Sequence, residues 1–120
     1  MFIAEGPGYH ENLHGRPFVG RAGKLLDRLL ASINHVREDV FNASMVKCRP
    51  SGNRDPGTAG IAACTKYLDR QIELINPKLI VTLGRFAFGR YFPGGHHQGP
   101  WETERERWAH DFSCAVSCSG

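Results

Sequence analysis

The stretch Leu79-Ile80-Val81-Thr82-Leu83 decides the fold class that the sequence predicts. An uninterrupted run of β-branched and aliphatic side chains is typical of a strand that is buried on both faces of a parallel sheet. Gly84 ends the run, and Asn76-Pro77 separates it from the segment before, because a residue that precedes proline disfavours the helical region. The stretch therefore predicts a central parallel strand.

Helical and extended segments alternate on both sides of this strand. Apolar side chains recur at helical spacing in the helices, and short apolar runs bounded by glycine or proline mark the strands. In chain order the predicted elements are a strand at Phe2-Ile3-Ala4, a polar loop at 9–21, a helix at 22–33, a strand bracketed by Val40-Phe41 and Met45-Val46, a helix at 61–75, the strand at 79–83 and a short helix at 85–92. This alternation implies βαβ crossovers in an α/β fold, and ligands in such folds bind beyond the carboxyl ends of the strands.

The composition sets wide limits on function. The chain has 120 residues, of which 41% are hydrophobic and 22% charged, as in an ordinary soluble domain. A net charge of +3 permits a polyanionic partner without requiring one. No apolar run is long enough to span a bilayer, and no basic leader precedes the first strand. We therefore expect a cytoplasmic protein that does not act at a membrane.

Four cysteines, Cys48, Cys64, Cys114 and Cys118, do not form the paired C-x-x-C pattern of a zinc ribbon. In a cytosolic chain such cysteines are metal ligands or inert core thiols more often than disulfides. On spacing alone, small buried hydrophobes are favoured over metal ligands for Cys48 and Cys64.

Several residues near the first predicted turn are individually ambiguous. The turn at Gly6-Pro7-Gly8 lacks the Gly-Lys-Ser/Thr ending of a phosphate loop, so it indicates only a close backbone approach or a tight turn. Glu5 and Glu11 flank it, and the plainer interpretation is a pair of solvated carboxylates. Phe18 lies in a polar loop, where an aromatic ring is a packing anchor more often than a base-stacking platform.

Six short segments in a fixed order carry a stronger signal than any one residue. They are Glu5-Gly6-Pro7-Gly8, the run from Gly15 to Gly23 with Arg16-Pro17-Phe18-Val19 inside it, Val46-Lys47-Cys48-Arg49-Pro50, Gly52-Asn53-Arg54-Asp55-Pro56, Ile61 to Cys64 with Tyr67-Leu68, and Ile80 to Arg85. Over residues 1–94 this series resembles the family-4 type of uracil-DNA glycosylases, the iron–sulfur branch of their superfamily. The resemblance implies a three-layer α/β/α fold with a central parallel sheet, incomplete in this chain. It also implies hydrolysis of the N-glycosidic bond of uracil in DNA during base excision repair.

The resemblance assigns roles to residues around the first turn. Uracil flipped out of DNA would stack on Phe18, and the backbone around Gly6 and Gly8 would shape the pocket wall. Glu5 and Glu11 occupy the acidic, catalytic positions of the family's first motif, and Glu11 is the better candidate to orient the attacking water toward C1′. A carboxylate there would stabilise the positive charge that develops on the sugar as the bond breaks.

Two further groups of residues gain a role from the resemblance. Cys48 and Cys64 match two ligands of the family's [4Fe–4S] cluster, which normally needs four thiolates. The family's other two cysteines form a C-x-x-C before the first strand and are absent from this chain, so we expect it not to hold the cluster stably. Taken alone, Lys47, Arg49 and Arg54 fit either a solvated basic patch or phosphate contacts. The resemblance favours a DNA-facing group that consists of Lys47, Arg49, Asn53 and Arg54.

The sequence departs from the family at the residue that reads uracil. Ser44 stands where many members have asparagine, and we take it as a substrate-binding residue. A hydroxyl both donates and accepts a hydrogen bond, but it does not reproduce the paired recognition that an amide offers. Asn42 would point to the same face of the sheet by strand alternation.

Residues 95–120 form a second region with neither helical nor strand periodicity. None of His96, His97 and His110 lies in the His-Pro context of the family's uracil-binding histidine. Slipping the reading frame by one base turns parts of this tail into family-like strings, and a frameshift is our hypothesis for its origin. It predicts a tail of low order with no selected fold, after a glycosylase-like core at 1–94.

Three hypotheses about function follow. The first is a uracil-DNA glycosylase that acts on uracil-containing DNA, with this chain an incomplete form. The second is a non-catalytic nucleic-acid-binding relic of the same fold, and the third is a fragment that binds nothing. Salt-dependent DNA binding without base release distinguishes the second, and a lack of cooperative unfolding distinguishes the third. No obligate protein partner is inferred.

Overall fold

The computed structural model describes residues 1–91 and the backbone of residues 115–118. Within these residues, strands and α-helices follow one another in the order β1 (Phe2–Ala4), α1 (Tyr9–His14), α2 (Arg21–Ser32), β2 (Asn42–Ser44), α3 (Thr58–Ile75), β3 (Leu79–Thr82), α4 (Arg85–Tyr91) and β4 (Ala115–Cys118). Short 3-10 turns at Arg37–Asp39 and Ser51–Asn53 lie on either side of β2. No helix among the described residues is both long and apolar enough to cross a membrane.

The strands form one sheet in the order β2-β1-β3-β4. β1 is parallel to both of its neighbours. Phe2 lies beside Asn42 and Ala4 beside Ser44 of β2, and Phe2 and Ile3 lie beside Val81 and Thr82 of β3. β4 runs antiparallel to β3, with Cys118 beside Leu79. The predicted parallel core of the sheet is confirmed, and an antiparallel strand is added at the outer edge of β3.

Helices cover both faces of this sheet. On one face, side chains of β1, β2 and β3 pack with α3 and α4 in a buried cluster that consists of Ile3, Ala43, Met45, Leu68, Ile80 and Ala87. On the other face, Phe2 of β1 and Leu26 and Leu30 of α2 line a small apolar cavity. The three-layer α/β/α arrangement is therefore confirmed.

The first helix is the element that the sequence prediction missed. The sequence predicts a loop at 9–21, whereas Tyr9–His14 form α1, which follows Gly8 and ends at Gly15 in the left-handed region with φ 63°. Most of its six side chains are polar and they show no apolar period, so the periodicity that marks longer helices was missing. The loop prediction was wrong for these residues.

α3 matches its prediction at the end but not at the beginning. It begins at Thr58, three residues before the predicted start at residue 61. The prediction missed these residues because their side chains, Thr58-Ala59-Gly60, show no apolar periodicity. It ends at Ile75, and Asn76 follows in the left-handed region with φ 46°, its N–H donating to the carbonyl of Ile72. Asparagine is one of the few residues that adopt this conformation readily at a helix end.

β4 lies inside the tail that the sequence predicts to be irregular. The rest of that tail, residues 92–114 and 119–120, lies outside the described residues. The boundary at residue 94 and the frameshift hypothesis therefore stay predictions.

Candidate active site

A cavity of about 600 Å³ opens at the carboxyl ends of β1 and β2. Its wall is formed by residues from both strands, the loops that follow them, α1, the loop before α2, and the helices α2 and α3. These residues are Ala4, 6–8, Glu11, Asn12, 15–18, Ala22, 42–44, Lys47 and Gln71. The strand ends of a parallel sheet are where α/β folds bind ligands, and the volume lies within the range of small-molecule sites. This cavity is the candidate active site.

Two glycines let the backbone after β1 form part of the cavity wall. A Cβ atom at Gly6 would lie 2.5 Å from Cγ2 of Val46, and one at Gly8 would lie 2.7 Å from Oε2 of Glu11. Neither position has room for a side chain, so the chain passes close to its neighbours. The predicted pocket-forming glycines therefore lie at the cavity, and close approach is the reason for both.

Phe18 lies on the cavity wall in a conformation that the surrounding chain imposes. Its φ is 56°, a value that a bulky L-residue rarely adopts. Arg37 donates from Nη1 to the Phe18 carbonyl oxygen at 2.7 Å. Gly23 packs directly beneath that carbonyl, because a Cβ at this position would overlap the oxygen. The backbone strain is thus balanced by contacts that fix where the Phe18 ring lies.

Glu11 joins α1 to the loop that carries Phe18. Its Oε1 accepts hydrogen bonds from the backbone N–H groups of Val19 at 2.9 Å and Gly20 at 2.8 Å. Burial by itself would raise the pKa of Glu11, but backbone hydrogen bonds, with that of Gly20 foremost, hold it below its ordinary value. An ionised carboxylate therefore lies at the cavity wall and anchors the neighbouring loop.

Glu5 does not line the cavity. Its Oε1 lies 3.5 Å from the backbone nitrogen of Phe86 at the start of α4. A Cβ at Gly84 would lie 2.5 Å from the same oxygen, so the carboxylate packs against the turn before that helix. The structure brings Glu11 and Phe18 together at the cavity and separates Glu5 from them.

Ser44 and Asn42 both line the cavity, as alternation along β2 predicts. The Ser44 hydroxyl donates to the carbonyl oxygen of Val46 at 2.7 Å. Oδ1 of Asn42 is buried and has no hydrogen-bond partner among the described residues. A buried polar atom without a partner is uncommon in folded proteins and often marks a functional position. Asn42 was a secondary candidate in the sequence, and the structure makes it a second polar group at the site.

Lys47 lies in the cavity wall rather than on the surface. Its Nζ donates to the carbonyl oxygen of Ser44 at 2.9 Å and to Oε1 of Gln71 at 2.7 Å. Burial lowers the pKa of Lys47 from its ordinary value, and the nearby Cys64 acts in the opposite direction. Gln71 was not predicted as a site residue, because a glutamine on a helix carries no signal in the sequence alone.

The other predicted DNA-facing residues lie outside the cavity, on the loop that follows Lys47. Arg49 donates from Nε to Oδ1 of Asn53 at 2.7 Å, and its guanidinium lies 5.3 Å from the centre of the Tyr9 ring. Arg54 donates to the carbonyl oxygen of Ser51 at 3.0 Å and is exposed. Of the four predicted DNA-facing residues, Lys47 lines the cavity, and Arg49, Asn53 and Arg54 do not.

The sequence match to known proteins agrees with this geometry. Residues 1–118 match the uracil DNA glycosylase superfamily. The chain belongs to that superfamily. It is 55% identical over 93 residues to a type-4 uracil-DNA glycosylase of Saccharolobus solfataricus, which covers 77% of this chain and 43% of that protein.

Two further relatives in the glycosylase superfamily show the same extent of similarity. The type-4 uracil-DNA glycosylase of Archaeoglobus fulgidus is 54% identical over 87 residues, which covers 72% of this chain and 44% of that protein. The enzyme of the same name from Thermotoga maritima is 50% identical over 94 residues, which covers 78% of this chain and 49% of that protein. The chain thus spans less than half the length of these glycosylases.

The two predicted cluster ligands, Cys48 and Cys64, lie on elements that one hydrogen bond joins. Cys48 is exposed and Cys64 is partly buried, and the backbone N–H of Lys47 donates to Sγ of Cys64 at 3.4 Å. This bond joins the loop that contains Cys48 to α3. In the part of the chain that the structure describes, no group of three or more His, Cys, Asp or Glu side chains is placed to hold a metal ion. A [4Fe–4S] cluster normally needs four thiolates, and the described residues offer Cys48 and Cys64, so they do not fit a complete cluster site.

Proposed function

We propose that this protein hydrolyses the N-glycosidic bond between uracil and deoxyribose in DNA. The observation that carries the proposal is the cavity at the strand ends, which combines the strained Phe18, the wall of Gly6 and Gly8, and the ionised Glu11. Membership of the uracil DNA glycosylase superfamily supports the same reaction. Uracil-containing DNA is the proposed partner.

The cavity fits a mechanism in which the target base leaves the duplex. Unstacking a base costs a few kcal/mol, and stacking on an aromatic ring recovers about 1–3 kcal/mol. Phe18 offers that ring from a backbone held by Arg37 and Gly23. We propose that uracil stacks there, with its edge facing Ser44.

Glu11 supplies the negative charge that the reaction requires on the sugar side. Cleavage leaves positive charge on the deoxyribose, which a nearby carboxylate stabilises. Glu11 is charged at neutral pH, because backbone hydrogen bonds hold its pKa below an ordinary value that already lies well below 7. We propose that it also orients the attacking water, whereas the contacts of Glu5 with the start of α4 make its part indirect.

The remaining predictions are finer parts of the same proposal. Arg49, Asn53 and Arg54 would contact DNA phosphates beside the cavity, since arginine side chains recognise phosphate oxygens well. Cys48 and Cys64 match two of the four ligands of the [4Fe–4S] cluster that the family resemblance implies, and with these two thiolates alone we expect no stable cluster. A cytoplasmic location stays a prediction.

The test is release of free uracil from a single-stranded oligonucleotide that contains one uracil. We expect the 120-residue chain to release uracil, and Phe18→Ala and Glu11→Gln each to slow release about ten- to a hundredfold. The matched controls are Tyr67→Ala and Glu73→Gln, which remove an exposed aromatic ring and an exposed carboxylate on α3 that do not line the cavity. Both controls should release uracil at the wild-type rate.

The alternative function is DNA binding without excision. The names of the relatives do not favour it, because the most similar ones are uracil-DNA glycosylases. Salt-dependent binding of the oligonucleotide with no uracil released would favour the alternative over the proposal. Absence of both binding and release would contradict both functions.

A further inference from the structure

Lys47 is a partly buried cation whose hydrogen-bond acceptors among the described residues are both neutral, although Cys64 lies nearby. The acceptors of its ammonium are a backbone carbonyl and an amide oxygen, from Ser44 and Gln71. None of the ion pairs in residues 1–91 includes Lys47. An ammonium has three N–H donors, of which two are assigned to these acceptors, and Lys47 lines the cavity. A charge taken out of water without a counter-ion favours an anion that comes close to it.

The base that enters the cavity becomes an anion during the proposed reaction. When the C1′–N1 bond breaks, its electron pair goes to N1 of uracil, and the negative charge spreads to the ring oxygens. A water molecule forms the new bond to C1′ and gives up a proton to the solvent, so that the products are a sugar hydroxyl, a solvent proton and the uracil anion. The DNA phosphates carry charge as well, but they stay on the backbone, where the exposed Arg54 is the more accessible cation.

We propose that Lys47 stabilises the departing uracil anion and that Gln71 is the positioning residue that holds the ammonium toward it. This inference rests on the proposed function. Lys47 lies on the loop after β2, and Gln71 lies on α3, so two elements fix the ammonium before substrate binds. A donor that is already in place stabilises developing charge without reorganisation, and loss of one such donor typically slows the chemical step by a factor of about 100–1000.

The first experiment varies the leaving group. Release of uracil is compared with release of 5-fluorouracil, whose fluorine withdraws electrons and stabilises the anion by itself. We expect Lys47→Gln to slow uracil release about a hundredfold and 5-fluorouracil release about tenfold. Gln71→Leu should show a smaller loss with the same preference, and in kcat rather than KM. The control Lys24→Gln removes an exposed charge on α2 and should change neither. Equal losses on both bases would overturn the proposal.

The second experiment does not require catalysis. Free 5-nitrouracil is an anion at neutral pH, and its absorbance reports its ionisation. We expect the wild-type chain to bind it more tightly than neutral uracil, and Lys47→Gln to weaken its binding at least tenfold while Lys24→Gln does not. Urea denaturation of each variant checks that it is folded.

The two experiments separate this inference from the proposed function. Binding of 5-nitrouracil that depends on Lys47, without any uracil release, would sustain the anion site and contradict the glycosylase proposal. If the wild type releases uracil and Lys47→Gln releases it at the same rate as Lys24→Gln, the glycosylase proposal is supported and the proposed role of Lys47 is contradicted. A wild-type chain that neither releases uracil nor binds 5-nitrouracil would contradict both.

Discussion

Glu11 lines the cavity, whereas Glu5, the other glutamate near the first turn, contacts the start of α4. Side chains alternate along a strand, so Ile3 and the residue two positions later point to one face of the sheet and Ala4 to the other. Ile3 packs toward α3 and α4, and Glu5 follows it to the start of α4. Ala4 lines the cavity. Alternation alone could therefore have excluded Glu5 from the cavity wall.

The low pKa of Glu11 makes the stability of the fold sensitive to acid. A carboxyl group whose folded pKa lies below its unfolded value stabilises the fold above the unfolded value, and this contribution is lost as pH falls through the folded value. The ordinary value is 4.5, and backbone hydrogen bonds to Glu11 lower it. We expect the free energy of unfolding of the wild type to fall as pH drops below about 4.5. Glu11→Gln keeps the shape without the charge and should reduce that fall.

Urea denaturation between pH 7 and pH 3 measures this dependence. The variant should be less stable than the wild type at pH 7 and should approach it at low pH, where the wild-type carboxylate is protonated. A difference between the two that stays constant across the pH range would show that the charge of Glu11 contributes nothing to stability.

Ser44 and Asn42 mark the limit of sequence reasoning at a single residue. Strand alternation correctly places both on the cavity face of β2. The sequence does not show that the Ser44 hydroxyl is occupied by the carbonyl of Val46, because that bond depends on the turn of the backbone after the strand. The same holds for Lys47, whose direction is set by Gln71, a residue 24 positions away.

Among the elements, α2 contains a glycine, Gly23, that lowers helix stability but lets α2 pack against the Phe18 loop. Glycine inside a helix costs about 1 kcal/mol relative to alanine, so Gly23 is unfavourable locally. It is buried, and a Cβ there would overlap the Phe18 carbonyl oxygen, so the packing of the Phe18 loop requires it. Gly60 on α3 is the opposite case, because a Cβ there meets nothing within 4 Å.

We expect Gly23→Ala to lower the free energy of unfolding by about 2 kcal/mol, since overpacking typically costs 1–3 kcal/mol. Gly60→Ala should raise it by about 0.5–1 kcal/mol through helix propensity alone. Urea denaturation measures both changes, and the pair separates the overlap from propensity. If both variants gain stability, the contact between α2 and the Phe18 loop does not exist in solution.

The sequence predicts an element more accurately when that element buries more apolar surface. β3 and the last four turns of α3 contribute Ile80 and Leu68 to the buried cluster, and their apolar patterns predict them well. α1 has no buried residue, and its position depends on Gly8 and Gly15 at its ends. Short polar helices of this kind leave no period in the sequence, so only the structure reveals them.

At the scale of the whole molecule, the pairing of β4 with β3 and the frameshift hypothesis make opposite predictions about a chain that lacks the tail. β4 pairs with β3 along its full length, from Thr82 beside Ala115 to Leu79 beside Cys118. An unpaired strand edge invites association with other chains. If β4 forms in solution, a chain that ends at residue 91 should be less stable and should self-associate. If the tail has no selected fold, as the frameshift hypothesis predicts, the shortened chain should behave like the full one.

Proline substitutions in β4 distinguish strand pairing from a general effect of shortening the chain. In an antiparallel edge strand, adjacent residues alternate between donating their N–H to the neighbouring strand and directing it away. Proline has no N–H, so one of the two variants Val116→Pro and Ser117→Pro should lose a hydrogen bond to β3, and the other should lose none. We therefore expect unequal losses of stability in urea denaturation, with self-association on size-exclusion chromatography for the weaker variant. Equal and negligible effects, together with a shortened chain as stable as the full one, would favour the frameshift hypothesis and remove β4 from the sheet.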